Sequence, residues 1–322
     1  MTIRKAVVTG ATGFIGSALC KRLINSGVAV HAVSRTPPAA LSARPGQPEL
    51  SNVEETRDAN ITWWKADISE IDAARKIIQT VLPDVTFHLA SLVTGARGLE
   101  FVLPTCRNNF LAALNVLIAS AESNPGRVIL SNSFEEPDAE NPIPCSPYAA
   151  AKSCSSAYAQ MLHTLYRLPV VTAKIYMVYG PGQTDHTKLI PYVTRSLLQG
   201  EPVKLSSGAR SVDWIYIDDV VEGLIRCAET PGIDGAEVEL GSGEFHSIRT
   251  VVQELFEILK SPNPPNFGTL PDRPLERMKK ADIAQSAKLI GWVPRTEIGA
   301  GLRSTVDWYR REMGLNEPEN RA

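Results

Sequence analysis

A phenol and an ammonium stand four residues apart in Tyr148-Ala149-Ala150-Ala151-Lys152. On a helix, positions i and i+4 share one face, so this spacing sets the two groups side by side. A free phenol ionises at a pH of about 10. A nearby ammonium favours the phenolate, which suits Tyr148 to general acid/base work near neutrality. Upstream, the apolar run Val128–Leu130 ends in Ser131-Asn132-Ser133. A hydroxyl there, on Ser133, can hydrogen-bond a substrate oxygen that Tyr148 protonates or deprotonates.

The chain start holds a second constellation. Val7-Val8-Thr9 reads as a strand, Gly10-Ala11-Thr12-Gly13-Phe14-Ile15-Gly16 as a glycine turn, and Ala18–Ile24 as an apolar-periodic helix. Gly10 permits the tight turn, Gly13 lets backbone N–H groups approach a pyrophosphate, and Gly16 lets the helix pack closely on the strand. The positive end of the helix dipole then faces the phosphates. In this strand–turn–helix context the pattern predicts a dinucleotide site, and Lys152 can donate to the nicotinamide ribose. The second strand ends His31-Ala32-Val33-Ser34-Arg35-Thr36, with no carboxylate to accept from ribose hydroxyls. Ser34 and Arg35 suit a 2′-phosphate instead, so NADP(H) is favoured over NAD(H). The alternative makes Arg35 a solvated turn residue and leaves NAD to other contacts. Asp67 can accept from the adenine amino group or cap a helix, with Ser69 as rival cap.

These groups need a scaffold to hold them, and the first half of the chain predicts one. Strand patterns at Ala6–Val8, Val28–Val33, Ile61–Lys65, Val85–His88, Val128–Leu130 and Val170–Ile175 alternate with helix patterns at Ile71–Val81, Asn108–Ala121 and Tyr148–Tyr166. Such alternation implies α/β architecture: a Rossmann-type, doubly wound parallel sheet. Beyond Gly180 short segments (Pro191–Leu198, Val203–Leu205, Trp214–Ile217, Val220–Cys227, Val238–Leu240, Val251–Leu259) predict a smaller C-terminal α/β substrate lobe. The expected division is 1–180 for cofactor, with later chain returning to it, 181–315 mainly for substrate, and a polar, frayed tail at 316–322. Residues Pro37–Asn60 break the rhythm and read as a surface excursion. The expected substrate site is a cleft between the lobes, at the carboxyl ends of the strands.

Bulk properties exclude several classes. The 322 residues carry a formal net charge of −2, which leaves no basic surplus for nucleic acid or anionic lipid. No apolar run of about 18 residues is read, so no membrane span is expected. The first residues run into a strand without a secretory apolar region. Five scattered cysteines without a C-x-x-C pair predict reduced thiols, a cytoplasmic location and no metal site. Cys154, close to Lys152, reads as a packing residue.

In their order along the chain, these features resemble the extended short-chain dehydrogenases/reductases, in the nucleotide-sugar epimerase/dehydratase group. The resemblance covers nearly the whole chain. It is carried by Thr9–Gly16, Phe87-His88-Leu89-Ala90-Ser91, Asn109, Asn115, Ser133, Ser146–Lys152, Val178-Tyr179-Gly180-Pro181, Asp213–Asp219 and Gly291-Trp292-Val293-Pro294. It implies Tyr148 as acid/base with Ser133 and Lys152 as helpers. It also implies cofactor contacts from Thr12, Phe14, Ile15, Ile68, Leu89, Ala90, Ser91, Asn109 and Tyr176, hydride exchange at a sugar carbon, most often C4, and a homodimer built through the helices near Asn109 and Tyr158.

Two positions depart from the pattern: Met177 replaces a frequent Asn, and Val212 a frequent Arg, both of which grip the nucleotide diphosphate in such relatives. Arg210 and Arg273 are the candidate substitutes for that grip. Arg210 has a solvated surface role as its alternative. Glu135 stands where dehydratases carry a catalytic Glu, but Phe134 occupies the place of its partner acid. The expectation is therefore a 4-keto-sugar reductase or a 4-epimerase. The alternatives are 4,6-dehydratase-like activity, reduction of a non-sugar carbonyl, and a non-catalytic NADP-sensing or scaffold protein.

Overall fold

The structure, a computed structural model, describes residues 2–36, 54–58 (backbone only), 61–123, 126–273 and 275–315. The chain divides into two compact units. The first comprises residues 1–175, 221–239 and 285–292; the second takes 176–220, 240–284 and 293–322.

The main sheet has eight strands in the order β10-β7-β6-β5-β1-β2-β4-β3. In chain order these are β1 (Lys5–Thr9), β2 (Ala29–Ser34), β3 (Glu54–Asp58), β4 (Ile61–Lys65), β5 (Val85–His88), β6 (Arg127–Ser133), β7 (Val170–Ile175) and β10 (Glu237–Leu240). Strands β4, β2, β1, β5, β6 and β7 pair in parallel, while β3 runs antiparallel to β4. Every residue of β5 and β6 is buried. Unbroken burial, in place of alternation, means that helices cover both faces. One layer is built from α2 (Ile71–Val81), α4 (Ala112–Ser123) and α5 (Pro147–Tyr166), whose Ile77, Ile78, Val116, Leu117, Ala159 and Leu162 share a core with Val128 and Leu130. Helix α1 (Phe14–Asn25) buries Leu19 and Leu23.

Chain order reverses between β1 and β5: β2 and β4 extend the sheet one way, β6 and β7 the other. At that switch point the loops after the two strands diverge and open a crevice. The loop after β1 carries Gly10–Gly13, and the loop after β5 carries Leu89-Ala90-Ser91.

In the second unit, β8 (Met177–Tyr179) pairs in parallel with β9 (Ser211–Tyr216), which pairs antiparallel with β11 (Phe245–Ser247). Helices α6 (Leu189–Gln199), α8 (Ile248–Ile258) and α10 (Ile298–Glu312) supply Val193, Leu255 and Val306 to a core around Tyr179 and Trp214. The buried Asp213 side chain accepts from the backbone N–H groups of Ser242, Gly243 and Ala281 at 2.6–3.0 Å. It is a tie between chain segments, as is Asp219, which accepts from the N–H groups of Arg295 and Thr296. Helices α3 (Val102–Thr105), α7 (Ile217–Glu229) and α9 (Ile283–Ile290) complete the set.

Several expectations are corrected. Part of the 37–60 excursion, Glu54–Asp58, is a strand that extends the sheet; the rest lies outside the described residues, as does the tail 316–322. Residues 203–205 form no regular element. Strand β6 does not end at Leu130 but continues through Ser133, because β7 pairs with it to that point. Cys154 is exposed rather than packed; all five cysteines are free. The helical stretch Leu99–Ser123 is, after all, long and apolar enough by composition to cross a membrane. Its alanine and valine content has a structural use, since Ala112, Ala113, Val116 and Leu117 pack into the core against α2.

Arg127, at the start of β6, is buried and holds the end of α7. Its guanidinium donates to the carbonyls of Cys227 (2.9 Å), Ala228 (3.2 Å) and Thr230, and pairs with Asp234 at 2.7 Å. These carbonyls lack helical partners and sit at the negative end of the helix dipole. Arg127→Ala is expected to lower unfolding free energy in urea by about 3 kcal/mol, the scale for breaking a buried pair from one side. Asp234→Asn, at the more exposed end, is expected to lose less. Equal losses would contradict the capping role.

Candidate active site

Helix α5 starts where its sequence says it must. The Ser146 hydroxyl accepts from the Ala149 N–H at 3.1 Å, and Pro147 occupies the first turn. This phase sends Tyr148, Lys152 and Ser156, at i, i+4 and i+8, toward the end of β6. The Ser133 and Ser91 hydroxyls stand beside the Tyr148 hydroxyl and favour its ionised form. Lys152 Nζ donates to the Ser131 carbonyl at 2.7 Å. Ser156 Oγ donates to Glu136 Oε2 at 2.7 Å. Asn132 Nδ2 bonds Ser156 Oγ and the Lys152 carbonyl.

The turn after β6 folds back on Ser133. Its Oγ accepts from the Glu135 N–H at 3.2 Å, and its own N–H donates to Glu136 Oε1 at 3.1 Å. Sequence reasoning singles out Glu135, whose charge bears on Tyr148. It misses Glu136, the buried member of the pair. Two acids in a row after a strand end are the signal that could have found it, since a tight turn sends neighbours in opposite directions.

Burial sets the electrostatics. The Tyr148 phenol is pushed well above its ordinary range by burial and by the Glu135 charge, partly offset by the Ser133 hydrogen bond. The sequence expectation that Lys152 lowers it is corrected: Lys152 Nζ is turned to the Ser131 carbonyl and lies 5.9 Å from the Tyr148 ring centre. Lys152 is itself pushed down to about 8 by burial, against the favourable charge of Glu136. His88, at the end of β5, is lowered to about 3 by burial and by Lys152. Its Nδ1 lies 2.9 Å from Thr9 Oγ1, which accepts from the N–H groups of Leu89 and Ala90 at 3.2 Å. The hydroxyl proton therefore goes to Nδ1 and the ring carries its own on Nε2.

The glycine turn fits a dinucleotide. Gly10 has φ +69°, and a Cβ there would meet the Ala90 N at 2.7 Å; a Cβ on Gly16 would meet the Gly10 carbonyl oxygen at 2.1 Å. Thr12 and Gly13 are exposed at the start of α1, and among the described residues no side chain caps it. Its N–H groups, with Phe14 and Ile15 in the first turn, are free to meet an anion. Asn109 lies in a π-helical stretch, Cys106–Leu111. It pins the loop after β5: Oδ1 accepts from Ser91 Oγ and the Leu92 N–H, and Nδ2 donates to the Leu92 carbonyl.

At the end of β2, Ser34 Oγ lies 2.9 Å from Thr12 Oγ1, and Arg35 donates to Asn108 Oδ1 at 3.0 Å. Asp67 does not cap α2. Its Oδ1 accepts from the N–H and hydroxyl of Ser69. Burial would raise its carboxyl, but these bonds with Arg107 and Arg35 hold it below the usual range. The Ile68 carbonyl accepts from Asn115. In the second unit Tyr176 is buried and Met177 half-buried, whereas Arg273 is exposed. Arg210 is not solvated: it pairs with Glu276 at 3.1 Å and donates to the Arg277 carbonyl at 3.0 Å. A pyrophosphate there would compete with Glu276. Among the described residues no group of three or more His, Cys, Asp or Glu could hold a metal.

The profile of the NAD dependent epimerase/dehydratase family matches residues 6–241. UDP-glucose 4-epimerase of Mycolicibacterium smegmatis is 28% identical over 326 residues, covering 96% of this chain and 99% of that protein. A probable dTDP-glucose 4,6-dehydratase of Sinorhizobium fredii is 30% identical over 335 residues, covering 95% and 92%. Among solved structures, UDP-glucuronic acid 4-epimerase from Bacillus cereus in complex with UDP-glucuronic acid and NAD superimposes with a TM-score of 0.81 at 26% identity, over 96% of this chain and 99% of that one.

His88 makes the fold acid-sensitive. An unfolded histidine takes up a proton near its ordinary value of about 6.5, whereas the buried ring resists until about 3. The stability tied to neutral His88 is complete above about 6.5 and lost as pH falls toward 3. His88→Gln is expected to flatten the fall of unfolding free energy across that window in urea titrations at a series of pH values. An unchanged slope would assign acid sensitivity to other groups.

Proposed function

Because the chain belongs to the NAD dependent epimerase/dehydratase family, we propose that it reduces a 4-keto nucleotide-linked sugar at C4, with Tyr148 as proton donor. Tyr148 carries this reading. Its hydroxyl stands beside the hydroxyls of Ser133 and Ser91 at the end of β6, and like any phenol below a pH of about 10 it rests protonated. A protonated phenol is the resting state that a reduction needs, because the new C4 hydroxyl takes its proton from it. Ser133 shares the ketone oxygen and orients it. Lys152, buried and held at the Ser131 carbonyl, can turn toward a ribose. When bound, a nicotinamide cofactor supplies or accepts the hydride at C4.

We take that cofactor to be NADP(H) in preference to NAD(H). Arg35 and Ser34 stand at the end of β2, where NAD sites usually offer a carboxylate. A second reading, 4-epimerisation with retained NAD, is favoured by the likeness to the mycobacterial and Bacillus epimerases. Full 4,6-elimination is disfavoured by Phe134, a buried apolar ring where the second acid would stand. Exposed apolar side chains on the paired helices, among them Leu99, Leu103, Tyr158, Leu165 and Tyr166, support a homodimer through that face.

Tyr148→Phe is expected to lose at least ~100-fold in turnover on 4-keto nucleotide sugars while cofactor affinity holds; near-normal turnover would sink the mechanism. Arg35→Ala is expected to weaken NADPH binding about tenfold and NADH binding little, as read by fluorescence titration. NAD that co-purifies and does not exchange, with UDP-sugar interconversion, would instead select the epimerase.

A further inference from the structure

We propose that Arg107 is a positioning residue of the cofactor site, which aims the Asp67 carboxylate, through the Ser69 hydroxyl, at the amino group of an adenine ring. The role rests on the reading of this site as one for a nicotinamide dinucleotide.

Three observations carry it. First, the Arg107 guanidinium spreads over the turn after β4. Its Nε donates to Ser69 Oγ at 2.9 Å, and its Nη2 lies 2.7 Å from Glu70 Oε1 and 3.5 Å from Asp67 Oδ2. Second, the Ser69 hydroxyl is a one-way relay. Its single proton goes to Asp67 Oδ1 at 2.7 Å, so toward Arg107 it accepts. The Ser69 N–H donates to the same Oδ1 at 3.0 Å, and Ser69 is only 5% exposed. Asp67 Oδ1 is thereby filled, while Oδ2, with one long contact, keeps room for a further donor. Third, the neighbouring Ile68 is fixed from behind. Its carbonyl accepts from the buried Asn115 at 3.1 Å, and its N–H has no acceptor among the described residues.

An acceptor on Asp67 and a donor on Ile68 complement the edge of adenine, where the amino group donates and the adjacent ring nitrogen accepts. Burial would raise the Asp67 carboxyl, but the Ser69 bonds and the charges of Arg107 and Arg35 hold it below the usual range, so it acts as an acceptor alone. The same run of chain serves the rest of the site. Asn108 accepts from Arg35 at the end of β2, and Asn109 pins the loop after β5. Arg107 is the member of this run that reaches the end of β4. Its ion pair with Glu70 is exposed on both sides, and such pairs add little to stability. Arg107→Ala is therefore expected to fold normally.

Fluorescence titration of the intact chain with four reduced cofactors tests the role: NADH, NADPH, and the analogue of each in which hypoxanthine replaces adenine. Hypoxanthine offers a carbonyl in place of the amino group and an N–H in place of the ring lone pair, so it reverses both polarities. The wild-type chain is expected to bind the adenine forms about tenfold more tightly than the hypoxanthine forms. Arg107→Ala should bring that ratio to about threefold or less in both pairs, with the hypoxanthine forms within about twofold of wild type. It should not move the NADPH to NADH ratio, which Arg35 sets. Ser69→Ala should act in the same direction, because it removes the relay. Glu70→Gln keeps an oxygen for Nη2 and the whole Ser69 relay, so it should leave the adenine preference in place. A merely structural Arg107 would weaken all four cofactors alike; that result overturns the proposal, as does an unmoved ratio. A wild-type chain that binds none of the four overturns the nicotinamide reading and this role with it, whereas one that binds them without preferring adenine overturns this role alone. No sugar enters these titrations, so they decide the role of Arg107 whether or not 4-keto sugars are reduced.

Discussion

The structure depends on a polar seam between α5 and the end of β6. Tyr148, Lys152 and Ser156 reach, turn by turn, Ser133, Ser131 and Glu136. Each rung joins a helix side chain to a strand end inside a dry layer, where an unmade hydrogen bond costs about 1–3 kcal/mol. Register along the seam is therefore strongly fixed. Sliding α5 by one residue would turn all three polar side chains away from the strand and bring Ala149 against it. The N-cap at Ser146 sets where α5 begins and with it that register, so capping and chemistry occupy adjacent residues.

The switch in strand order explains why the seam lies beside a cofactor site. The loops after β1 and β5 leave the sheet in opposite directions, and Gly10 passes so close to Ala90 that a side chain would not fit. Thr9 and His88 lock the two strand ends at this point through a bond between their side chains. Asn109 then fixes Ser91, and Ser91 reaches Tyr148. Hydrogen bonds thus tie the loop after β5 to Asn109, in the π-helical stretch, and set Ser91 beside the phenol.

Much of this is legible in the sequence, for reasons that differ by element. The helices Ile71–Val81 and Tyr148–Tyr166 carry strong periodicity or a capping signal, and their expected bounds lie within a residue of those observed. Glycine spacing announces the turn because only glycine can occupy it. What escapes is set by contacts distant in sequence. Strand β6 runs through Ser133 because β7 pairs with it, and no local propensity of Ser-Asn-Ser says so. Arg210 reads as a free cation, but Glu276, far along the chain, holds it. Proximity of Lys152 to Tyr148 in sequence suggests a depressed phenol; burial, which spacing cannot report, pushes it the other way.

That last reversal bears on the chemistry. Burial dominates both groups: the phenol is pushed above its ordinary range and the ammonium is weakened to about 8. A raised phenol is a weaker acid as well as a rarer phenolate, so burial opposes charge on both partners whichever way a proton moves. Glu135 and Glu136 oppose the phenolate further, while Glu136 favours the ammonium. The acids after β6 thus act on both partners in the same sense, toward protonation.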